Sequence, residues 1–113
     1  MSLPRTLALV EAALAGSPEL DDAIAEALGT ASAPYSQSLD AAMTLVPKGW
    51  TIAQFAQRTD GRGRAVGWIA DLYRHDLAVL PDAPARLMPT AALALTTASL
   101  RAYIDRPRIA RAA

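Results

Sequence analysis

The chain has no cysteine and only one histidine, His75, among its 113 residues. Without cysteine there is no disulfide framework, no thiolate metal site and no cysteine nucleophile. A single histidine excludes any site that needs two. Net charge is absent as well, since eleven basic residues balance eleven acidic ones. A polyanion binder usually carries a basic excess, so nucleic acid is a disfavoured partner. Neutrality also removes charge repulsion as a guard against self-association, which leaves a homo-oligomer open. No apolar run approaches the roughly 18 residues of a membrane span. The opening MSLPRTLALVEAALAG is broken by Glu11 and has only Arg5 as a basic flank, so it reads as an amphipathic helix rather than a signal peptide. The expectation is a cytoplasmic protein with no membrane contact.

What is present suffices for one domain. Hydrophobic residues make up 52% of the chain, enough to bury a core rather than remain disordered. Much of that share is alanine, which favours helix but buries little area. The core must therefore lean on Leu, Ile, Val, Met and the two tryptophans.

Residues 1–16 read as a first helix, with Leu3, Leu7, Val10 and Leu14 at helical spacing, Glu11 facing away and Gly16 ending the run. Ser17 then looks like an N-cap, followed by Pro18 at the first helical position. Glu19, Asp21 and Asp22 sit near the positive end of that helix, Leu20, Ile24 and Leu28 share one face, and Gly29 stops it. Ser36 or Ser38 caps a third helix with a stripe of Leu39, Ala42, Met43 and Val46, halted by Pro47. A last helix starts near Pro89 or Thr90, carries Leu93, Leu100 and Ile104 on one face widened by Ala92 and Leu95, and closes before Pro107. Residues 106–113 are then expected to be a frayed tail.

Between the third and last helices, the pattern predicts a β-hairpin: Trp50 to Gln57, a turn over Thr59 to Gly63, and Arg64 to Tyr73. Val66, Trp68, Ala70 and Leu72 alternate onto one face of the second strand. Trp50 and Ile52 share a parity that Phe55 breaks, and a bulge would explain this. Asp60-Gly61 is a preferred hairpin pair. Leu77 to Leu80 offers a third short strand. Two strands alone would be marginal in water, so helices should pack on the sheet.

Three segments, ELDDAIAEALG, YSQSLDAAMTLVPKGW and PTAALALTTASLRA, together resemble the phage ABA sandwich domain, a family of small phage and prophage proteins. The resemblance covers about Glu19 to Ala102 and does not extend to the Thr51 to Arg64 stretch. It implies an α+β fold: a three-layer helix/sheet/helix sandwich with two or three antiparallel strands and about four helices. It brings no activity, and no catalytic, cofactor-binding or metal-binding residues to carry over.

The candidate contact residues are Arg58, Arg62 and Arg64 in RTDGRGR, whose guanidiniums and glycine-rich backbone would suit an anion or a partner. The segment lacks the ending of a phosphate-binding P-loop, and a solvated turn is the better reading. TIAQFAQRT also resembles the first helix of a helix-turn-helix, but DGRGRAVGW is poor material for a recognition helix. His75-Asp76 with Asp71 lacks a nucleophile to serve. Glu19, Asp21, Asp22 and Glu26 read as the wet face of a helix rather than as metal ligands. Trp50 and Trp68 read as core anchors. The expected function is that of a non-enzymatic accessory or interaction domain, self-associating through a helix face or a sheet edge. The alternative is a nucleic-acid module built on the basic turn Arg58 to Arg64, with Arg101, Arg106, Arg108 and Arg111 adding charge.

Overall fold

Each helix in the first half of the chain starts on a serine. In the computed structural model, which describes residues 2–74 and 86–112 (backbone alone from 105 onward), Ser2 accepts a hydrogen bond from Arg5 N at 3.3 Å and opens α1, Leu3–Ala12. Ser17 accepts from Leu20 N at 3.1 Å and opens α2, Pro18–Leu28. Ser38, rather than Ser36, accepts from Ala41 N at 3.4 Å and opens α3, Leu39–Met43. These caps satisfy amides that the first helical turn cannot.

Two expected stripes are corrected at their ends. α1 stops at Ala12, so Leu14 falls beyond it and is 85% exposed, while Thr6 and Val10 are buried. Glu11 is not free of contacts either, since Arg86 lies 3.8 Å away. After α3 the amides of Thr44, Leu45 and Val46 bond three residues back, to Ala41, Ala42 and Met43. That tighter winding has three residues per turn. It aligns Leu45 with Ala42 in the core and leaves Met43, placed in the stripe by helical spacing, 51% exposed.

β1, Trp50–Thr59, pairs antiparallel with β2, Ala65–Arg74. The pairing runs from Trp50 opposite Arg74 to Ile52 opposite Leu72, then resumes at Gln54 opposite Asp71. Ala53 is thus the extra residue of a bulge, and it moves Phe55 onto the face of Ala70 and Leu72. There its ring lies 5.6 Å from that of Trp68, and both pack against the core with Trp50. Ile69 is buried on the opposite face, outside that core.

The far edge of β2 is covered at its middle. Trp68 N donates to Met88 O at 2.7 Å and Met88 N donates back at 2.8 Å. The close approach requires Gly67, whose φ is +154° and where a Cβ would sit 2.8 Å from Leu87 and from the Met88 carbonyl. The expected strand Leu77 to Leu80 lies outside the described residues.

α4, Ala91–Ala112, begins with Thr90 Oγ1 accepting from Leu93 N at 3.2 Å. It does not close before Pro107: the helix runs through it to Ala112, so the expected tail begins as helix. An internal proline forfeits one ladder bond and crowds the preceding turn, but does not by itself terminate every helix. Residues 92–100 are buried on every side. The single stripe expected there becomes all-round burial because β2 packs on one side of α4 while α1 and α3 pack on others.

The fold is α+β, with four helices and a two-stranded antiparallel sheet on which helices pack. Among the described residues α4 packs chiefly on β2, α1 and α3 pack on α4, and α2 rests on α1. Among the described residues no helix is long and apolar enough to cross a membrane.

Candidate functional site

The basic turn is organised by its own carboxylate. Asp60 Oδ1 accepts from Arg62 N at 2.8 Å and from Arg64 N at 3.0 Å, and Oδ2 accepts from Arg64 Nε at 3.2 Å. Backbone bonds from Asp60 N to Arg64 O and from Gly63 N to Asp60 O close the turn. The amides of Arg64 and then Arg62 hold the Asp60 carboxyl below the usual carboxylate range; hydrogen bonds to the ionised form favour it. The loop is therefore an anion cradle whose anion is internal. Arg64 is committed to it, with 71% of its side chain exposed. Arg58, on β1, and Arg62, at the tip, are exposed. The three arginines share one end of the hairpin, but the amides that would grip a phosphate are occupied.

A second polar cluster was not foreseen from the sequence. Asp21 is 3% exposed and accepts from Ser36 N at 2.7 Å, Ser36 Oγ at 2.5 Å and Gln37 Nε2 at 2.7 Å. Ser36 Oγ also lies 3.0 Å from the amide of Ser17, whose own hydroxyl caps α2. Gly16 lies against the same turn, and a Cβ there would run into the Ser36 carbonyl. The cluster clamps residues 35–37 onto the start of α2. Its placement corrects the reading of Asp21 as wet-face charge. Asp21 stands three and four residues before the buried Ile24 and Ala25, so helical spacing put it on the core side, which was the signal available. Asp22 takes the outward role and accepts from Ser32 Oγ at 2.7 Å. Among the described residues no three acidic or histidine side chains gather as metal ligands.

Beside this clamp lies a shallow groove of about 420 Å³ between Gly16, Ser36, Gln37 and the first turn of α4. Asp71, on β2, has its carboxyl pushed up by burial, opposed by the nearby Arg101 charge. Its expected companions His75 and Asp76 lie outside the described residues. Trp50 and Trp68 are half-buried core anchors.

The outer side of β1 is open among the described residues. Among the described residues no backbone bond reaches this strand from the side away from β2, apart from the turn bond of Trp50 N to Pro47 O. Not one of its ten residues is fully buried. Among the described residues α4 lies chiefly over β2 and touches β1 little. Comparison with protein-family models, curated proteins and solved structures gives no match.

Proposed function

We propose that this chain is a non-enzymatic protein-interaction domain, of the kind found among small phage and prophage accessory proteins, with the open side of its hairpin as the working surface. The observation that carries the reading is the contrast between the two edges of the sheet. Met88 bonds to β2 at Trp68, whereas among the described residues nothing pairs with the outer edge of β1 beyond the turn bond at Trp50. Such an edge is a template for adding a strand. The resemblance of the SLDAAMTLVPKGW segment and its flanking helices supports the phage-type assignment.

The nucleic-acid alternative rests on Arg58, Arg62 and Arg64, and the internal Asp60 carboxylate weakens it by neutralising charge where phosphate would sit. A titration with random duplex DNA at low and moderate salt decides between the two. The interaction reading expects no salt-sensitive binding at micromolar protein. Binding that falls steeply with salt, and is lost when Arg58 and Arg62 become alanine, would overturn it in favour of a nucleic-acid module.

A further inference from the structure

We infer that the β1 edge pairs with the β1 edge of a second copy of this chain, antiparallel about a two-fold axis at Ala56, joining two hairpins into one four-stranded sheet. This rests on the interaction-domain reading and names the partner. A two-fold axis perpendicular to a sheet makes identical edge strands antiparallel, so any open edge is complementary to itself. The strand WTIAQFAQRT holds no proline and no lysine, two devices that usually blunt an edge. Its pairing with β2 is irregular at Ala53 and again between Arg58 and Thr59, which confines the regular stretch to residues 54–58.

That stretch fixes the register. Gln54, Ala56 and Arg58 stand opposite Asp71, Ile69 and Gly67, so all three lie on the sheet face turned away from α4. An axis at Ala56 brings two methyl side chains together at the centre and sets Arg58 of each copy opposite Gln54 of the other. The guanidinium then meets an amide oxygen rather than a like charge. The two Arg58 side chains stand roughly 14 Å apart, four residues along the strand, beyond the screening length of about 8 Å at physiological salt. The Arg58 brought in also extends the row Gln54–Asp71 with a positive end. On the other face, the incoming strand sets its Gln57 beside Phe55, where α4 lies thin among the described residues. Zero net charge puts no long-range repulsion in the way.

The experiment is light scattering of the full chain over a concentration series, repeated for Gln54→Lys, Arg58→Glu and the double variant. Both positions are exposed, and circular dichroism verifies that each variant folds. The parent is expected to reach twice the monomer mass with rising concentration. Gln54→Lys, which sets like charges across both symmetric pairs, should weaken the dimer about five- to tenfold. The double variant, which makes both pairs opposite in sign, should restore the parent affinity or exceed it. A monomer at every concentration overturns the pairing, as does a dimer indifferent to Gln54→Lys, which would instead place the contact on a helix face. Neither result depends on the DNA titration, so the two proposals fail separately.

Discussion

Asp21, Thr97 and Ser99 are polar side chains inside the molecule, and they differ in whether a partner was provided. Asp21 has three donors within 2.7 Å. Removing it strands the Ser36 amide and hydroxyl and the Gln37 side chain in a buried place, so Asp21→Ala should cost about 2–4 kcal/mol in urea unfolding. A variant that loses less than half of 1 kcal/mol would mean the clamp is ornamental. Thr97 Oγ1 and Ser99 Oγ, by contrast, have no hydrogen-bond partner among the described residues. Replacing an unsatisfied hydroxyl by a methyl of the same shape removes a desolvation cost. Thr97→Val is therefore expected to raise stability by about 1 kcal/mol, and a loss of that size would expose a partner. The sequence carried the local chemistry well at this scale: Ser17, Pro18 and Gly29 bound α2 where their types require. It did not carry the long-range partner of Asp21, because a contact fifteen residues away depends on how two loops meet rather than on any spacing.

The first irregularity of the hairpin was legible in the sequence; the second, which skips Val66 between the pairs Arg58–Gly67 and Thr59–Ala65 and takes it out of the expected alternation with Trp68, was not. The parity break between Ile52 and Phe55 called for one extra residue, and Ala53 is that residue. What the pattern did not show was Met88 against Trp68, since a bridge of one residue has no alternation of its own. Its dependence on Gly67 makes a test. Gly67→Ala forces a side chain into Leu87 and the Met88 carbonyl at an unfavourable φ and should destabilise by about 1–3 kcal/mol, with loss of the Trp68 amide protection seen by hydrogen exchange. The same hairpin holds two carboxylates displaced in opposite directions. Asp60, lowered by its amide donors, contributes stability above the ordinary carboxylate pKa, and that contribution disappears as pH falls through its depressed value. Asp71, raised by burial, carries a cost at neutral pH that is relieved as pH falls through its elevated value. Side-chain NMR titration should therefore find Asp71 protonating before Asp60 on acidification. Arg101→Gln should move Asp71 further upward, because Arg101 is the charge that holds it down; a downward move would contradict this.

For the whole molecule the deciding feature is α4. A sequence stripe of Leu93, Leu100 and Ile104, widened by Ala92 and Leu95, suggested a helix with one dry side, yet Thr96, Thr97 and Ser99 are buried as well. Periodicity within one helix reports that helix's own polarity, and a segment rich in Ala, Leu and Thr has little polarity to report. The number of layers resting on it was set by the rest of the chain. Leu95→Ala should cost about 2–5 kcal/mol, and sheet and helices should fall together in one transition, followed by tryptophan fluorescence and by far-ultraviolet circular dichroism. Separate midpoints would show that the hairpin stands without the helix. The central position of α4 also sets an order on synthesis. α1, α2, α3 and the hairpin all precede it in the chain, and each rests on α4 or on an element that does. A growing chain thus emerges with its apolar faces made but without the surface they close on. It stays loose, and open to holdases or to a neighbour's hairpin, until the segment after Pro89 has been added.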